Sequence, residues 1–187
     1  MNKRICFLYT ETNGLHQTTD DITKKNLFGF ARPVVINYEI GTFDNNWTQE
    51  KNIKEIIKPR CMVIPDETIK FHGITQKKAM KKGTDPEHVI NILKADLKNV
   101  NIIVCHNADF HIKTILAEAL RYNISIDFNK IIIVDTINFY HSYGYIKLKN
   151  LALKLKIKDI SDDNKNNVEL IKKVFFKLYS KFQKSIT

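Results

Sequence analysis

The sequence predicts an α/β domain built on a mixed sheet, and two observations carry this. Apolar, β-forming runs come first, at Arg4–Thr10, Pro33–Gly41 and Ile56–Pro65. Helical and strand patterns then alternate towards the C-terminus, and a helix between two strands is the connection that parallel neighbours require. A three-strand meander with two parallel additions gives a five-stranded sheet with helices on its faces.

Each element has its own warrant. Arg4–Thr10 (RICFLYT) is a short apolar run that stops at the turn-forming Thr-Glu-Thr-Asn-Gly stretch. Prolines near the ends of the second and third runs mark strand termini or edges, and Phe43–Asn52 between them reads as a polar turn. Asp85-Pro86-Glu87 is a helix start, with Asp as N-cap and Pro in the first helical position. Val89, Ile90, Leu93 and Leu97 follow at helical spacing. Asn101–Cys105 is a central strand. The helix from Ala108 to Tyr122 is expected to bury Phe110, Ile115, Leu116 and Leu120. Lys130–Val134 repeats the short buried strand, and Leu148–Leu155 and Val168–Phe182 are amphipathic helices.

Composition sets the class. The chain has 187 residues, with 30 Lys+Arg against 20 Asp+Glu and a net charge of +10. That length buries a core without disulfides or zinc, and with no linker or repeat to divide it, residues 1–187 read as one domain. Cys6, Cys61 and Cys105 are odd in number and sit in apolar runs, as buried free thiols of a reducing compartment would. No run approaches the roughly 20 apolar residues of a membrane span. The charged start at Met1–Phe7 leads straight into a strand, so the expectation is an intracellular, cytoplasmic protein with no membrane partner, at a viral replication site if the source is viral. Basic charge permits nucleic-acid binding, but only four of the 30 basic residues are Arg, and Lys, Asn and Ile share A/T-rich codons.

Four ordered pieces carry chemistry: Tyr9-Thr10-Glu11-Thr12-Asn13-Gly14-Leu15; Phe71-His72-Gly73-Ile74-Thr75; Ile103 through His106-Asn107-Ala108-Asp109-Phe110-His111; and Val134-Asp135-Thr136-Ile137 with Leu148–Ala152. In order and spacing they resemble the DnaQ-like 3′ to 5′ exonucleases, the DEDDh group of the RNase H-like superfamily, over a frame of about residues 4–178. The resemblance implies an RNase H-like fold and hydrolysis of a strand end by two Mg²⁺ ions held on carboxylates, with a His as general base.

Carried over by position, those roles land on altered residues. The first Asp falls on Tyr9, the Glu on Glu11, the second Asp on His111, the general-base His on Asp162 and the final Asp on Asn167. Only Glu11 keeps its chemistry. Two Mg²⁺ ions need several carboxylates to offset their charge, and imidazole nitrogen suits them poorly. The favoured expectation is therefore a degenerate exonuclease without a cofactor, a pseudoenzyme of DNA or RNA metabolism. It would bind single strands or 3′ ends, or serve as a polymerase-associated or scaffold subunit in a replication complex.

One alternative is an active exonuclease using Mg²⁺ or Mn²⁺ on a rearranged site of Glu11 and His111, with Asp162 or Asp163. A second is a pure protein-interaction domain. For strand binding the resemblance implies Thr12, Gly14, Leu15, His72, Asn107 and Phe110, while Asp135 is structural. Asn107 would alternatively serve as an N-cap and Phe110 as core packing. Lys77, Lys78, Lys81 and Lys82, and Lys147, Lys149, Lys154, Lys156 and Lys158, are either solvated helix faces or phosphate positioners.

Overall fold

The computed structural model describes residues 3–138, 145–158 and 166–186. The strands are β1 (Lys3–Thr12), β2 (Pro33–Asp44), β3 (Asn46–Ile56), β4 (Ile102–Cys105) and β5 (Ile132–Asp135). The helices are α1 (Asp66–His72), α2 (Gln76–Lys82), α3 (Pro86–Leu97), α4 (Ala108–Arg121), α5 (Leu148–Lys154) and α6 (Asn167–Ile186). They form one sheet of order β3-β2-β1-β4-β5, antiparallel from β3 to β1 and parallel from β1 to β5. This is the mixed five-stranded, helix-flanked sheet of the RNase H-like exonuclease fold.

Alternation along β1 builds a core on each side. Cys6 and Leu8 point to α3 and α4, where Val89, Ile90, Leu93, Ile115 and Ala119 close one apolar layer. Ile5 and Phe7 point to α5 and α6, packing with Leu148, Leu151, Val168, Ile171 and Val174. The Phe7 ring meets Trp47, Phe175 and Phe176 edge-on at centroid distances of 5.2, 5.6 and 5.8 Å. Both sheet faces are covered, which fixes the register of β1 and everything mounted at its C-terminal end.

Four expectations are corrected. The third strand is Asn46–Ile56, not Ile56–Pro65. Asn45 takes a left-handed φ of 65° and turns β2 into β3, so the supposed polar turn is hairpin. The Pro59–Pro65 stretch cannot sustain a ladder, and Ile57 makes only an isolated bridge to Thr84. β5 is a sheet edge, not a buried strand, with Ile132 60% exposed. On α4 the buried face carries His111, Ile115, Glu118 and Ala119, while Phe110, Leu116 and Leu120 are half-buried. Finally, Cys61 is exposed, whereas Cys6 and Cys105 are buried.

Candidate functional site

The site lies where β1 and β4 end. Tyr9 and Glu11 are two residues apart on β1 and share a sheet face. β4 ends at Cys105, and two residues later α4 begins. At the junction Asn107 takes a left-handed φ of 70°, and its side chain makes no cap bond. The cap comes from Asp135 on the neighbouring strand, whose carboxylate accepts from the amides of Asn107 (3.0 Å), Ala108 (2.7 Å) and Ile137 (2.9 Å). An anionic oxygen pair at a helix N-terminus satisfies donors that have no partner inside the helix.

His106 is held just as firmly. Its Nε2 donates to the Ile146 carbonyl at 2.7 Å, and its Nδ1 meets the Thr136 hydroxyl at 2.7 Å. Burial holds its pKa below the ordinary histidine value. One turn into α4, His111 is 3% exposed. Its Nδ1 accepts the Thr10 amide at 3.1 Å, which leaves Nε2 to donate to the His106 carbonyl at 3.1 Å. The imidazole is thus neutral with both nitrogens engaged, and burial pushes its pKa down to about 4.

The ring of Tyr9 lies against that imidazole, with centroids 4.7 Å apart. Burial, then the neighbouring Glu11 and Tyr145, push the Tyr9 hydroxyl well above the ordinary phenol range. Glu11 Oε1 accepts from Asn167 Nδ2 of α6 at 3.3 Å. Burial raises the Glu11 carboxyl to about 7, against the opposing pull of Lys54 and of Asn167. The fold therefore brings Tyr9, Glu11, His111 and Asn167 to one place, although they are spread over more than 150 residues of sequence. Among the described residues, no group of three or more His, Cys, Asp or Glu is placed to hold a metal ion, so this donor set does not fit a pair of Mg²⁺ ions. Asp162 and Asp163 lie outside the described residues.

Beyond Glu11 the chain leaves the sheet through a braced loop. Thr12 Oγ1 donates to the Gly14 carbonyl at 2.6 Å, and no atom stands within 4 Å of where a Cβ on Gly14 would project. Leu15 is 81% exposed. His16 accepts the Ala31 amide and donates to the Phe110 carbonyl, and its ring packs on Phe110 at 4.6 Å. Asn13 exchanges three bonds with Arg32 and Val63 through its backbone and side chain, and a fourth runs from its amide to the Arg32 carbonyl's own strand start. His72 sits apart from this loop's core, at the end of α1 beside the Ile64, Ile74 and Ala79 cluster. Its Nδ1 accepts the Ile74 amide at 3.1 Å, and Nε2 is buried with no hydrogen-bond partner.

Behind the loop, Glu118 is 1% exposed and binds two guanidinium groups, Arg32 on one side and Arg121 on the other. Arg32 also reaches the Arg60 carbonyl, and Arg121 the carbonyls of Leu27 and Phe30. Sequence reasoning missed His16, Arg32 and Glu118. A signal was there: Arg is scarce in this Lys-rich chain, and a planar fork is the group suited to bidentate carboxylate bonding. All four arginines make ion pairs, to Glu50, Glu118, Asp85 and Glu118 in chain order.

Solved structures with this fold include apo Exonuclease I, with a TM-score of 0.70 at 15% identity over 95% of this chain and 42% of that one. The zinc-bound E. coli Exonuclease I complex with single-stranded DNA has a TM-score of 0.71 at 15% identity, covering 97% of this chain and 41% of that chain. Exonuclease I from Methylocaldum szegediense gives 0.68 at 16% identity, covering 96% and 40%. The chain thus spans about two-fifths of the length of these proteins. No curated protein matches it in sequence. The RNase T exonuclease family matches residues 7–170, most of the chain, and joins the fold and the converging motif positions in one conclusion: the chain belongs to that exonuclease family.

Proposed function

We propose that this chain holds the 3′ end of a single nucleic-acid strand and has exchanged the two-metal cleavage centre for a neutral, hydrogen-bonded cluster. One observation carries the reading. Tyr9 packs on a neutral His111 whose two nitrogens both serve the backbone, at the positions where the resemblance expects two metal-binding aspartates. Glu11 is bound to an amide, Asn167, instead of facing a further acid.

The strand-holding side supports binding. Exposed Leu15 beside the open Gly14 offers apolar surface for a base, Phe110 backs it through His16, and Asn107 has an uncommitted cap side chain. The buried Nε2 of His72 is a polar atom that a ligand group would satisfy. Thr12 and Gly14 shape the turn itself. Phosphate neutralisation falls to lysines, since all four arginines are paired within the protein. Such a chain acts in nucleic-acid metabolism by holding ends, alone or as a subunit attached to a polymerase or replication complex.

The test is direct. Purified protein should bind a 5′-labelled single strand in a salt-dependent way and leave its length unchanged with Mg²⁺ or Mn²⁺. The retained Glu11 carboxylate favours a second reading, an active enzyme in which Glu11, His111 and Asp162 hold a metal. His111 would then have to release Thr10 or His106. Shortening that disappears in Glu11→Ala would establish that reading. Binding no tighter than that of an unrelated protein of equal charge would leave a protein-interaction role.

A further inference from the structure

The segment that enters α5 forms a cavity of about 450 Å³ lined by Tyr145, Ile146, Lys147, Asn150 and Lys154. Its chemistry is one-sided: an aromatic ring, two ammonium groups and an amide, with no carboxylate. The back of the cavity is fixed. Ile146 is 7% exposed, its carbonyl is bound by His106, and Leu148 and Leu151 are buried beneath α5. The front is open, for Tyr145 is 67% exposed although it is anchored next to a buried residue. A large ring kept in water beside basic side chains has no packing function that would explain it. The cavity also adjoins the candidate site: His106 ties it to the start of α4, and Tyr145 is among the groups that Tyr9 feels.

We propose that this cavity seats a nucleotide upstream of the strand end, with Tyr145 stacking on its base and Lys147 and Lys154 neutralising the flanking phosphates. The proposal rests on the strand-end reading and extends it by a second subsite. Stacking on an aromatic face accepts any base, because every base has a π-face. Asn150 supplies an amide that can donate or accept, so it too is compatible with several bases. The ligand class is therefore single-stranded nucleic acid of at least two nucleotides, bound without sequence preference.

Fluorescence anisotropy with a 5′-labelled dT12 strand tests this, using the full chain. Tyr145→Ala should weaken binding about tenfold with an unchanged salt slope, while Tyr145→Phe should bind like the wild type. Lys147→Ala with Lys154→Ala should lower the slope of log K against log salt by about 1.4, the value for two single-strand phosphates. Both sites are exposed, and far-UV circular dichroism verifies folding. Wild-type binding that Tyr145→Ala leaves within twofold overturns the second subsite and leaves the strand-end reading standing. Absence of wild-type binding overturns the strand-end reading itself.

Discussion

Asn167 on the last helix donates to Glu11 on the first strand at 3.3 Å, joining the ends of the motif frame across the site. Beside them Tyr9 lies on His111. These four side chains fill the space with rings and hydrogen bonds, and the first prediction reverses that. A protein carrying Tyr9→Asp, His111→Asp and Asn167→Asp should lose about 3–5 kcal/mol of stability without metal, because it loses ring packing and confines like charges. Mn²⁺ at a hundredfold excess over its Kd should return about 2.7 kcal/mol. Thermal unfolding with and without Mn²⁺ measures both, and a metal-independent melting temperature would refute the assignment of these positions.

Asp135 is expected to be worth more to stability than to binding chemistry. Asp135→Ala leaves the amides of Asn107, Ala108 and Ile137 without their acceptor, and the loss should be about 2 kcal/mol by urea unfolding. Asp135→Asn keeps an acceptor oxygen and should recover part of it.

Acid should destabilise the fold through His111. Its pKa is about 4 in the folded protein against an ordinary 6.5, so the unfolded chain binds the extra proton. The stability this contributes is complete above pH 6.5 and is lost progressively as pH falls towards 4. Integrated over that window, the loss is about 3 kcal/mol. Chemical denaturation across the window measures it, and His111→Gln should flatten this part of the profile.

Removing Glu118 should cost about 3–5 kcal/mol, since Arg32 and Arg121 would be left half-buried without a counter-charge. Because Arg32 exchanges backbone bonds with Asn13, the same change should loosen the Thr12–Leu15 loop. A substitution Glu118→Gln whose unfolding midpoint equals that of the wild type would contradict this.

Much of the fold was legible because the pattern and the physics agree. The Asp85-Pro86 helix start, the β4 run and the α4 frame appear where apolar periodicity puts them. β3 was not legible, because an edge strand with one wet face is polar by necessity and Trp47-Thr48-Gln49-Glu50-Lys51 reads as loop. β5 misled in the opposite sense: Ile131 to Val134 is apolar, yet nothing in a single sequence distinguishes a central strand from an edge. At the site, alignment placed Asn167 opposite Glu11 correctly, whereas His111 looked like a nitrogen ligand until its two backbone bonds were seen. Hydrogen bonds to main-chain atoms leave no mark in a side-chain motif.

The Asp135 clamp has a dynamic consequence. It fastens the first turn of α4 to the outermost strand of the sheet, the strand with the fewest neighbours. Local opening of β5 must therefore release the amides of Asn107 and Ala108 with it, so that strand and helix start exchange hydrogen as one cooperative unit. Whatever steadies this edge also steadies the position of His111, and the exchange rate at Ala108 becomes a gauge of order at the site.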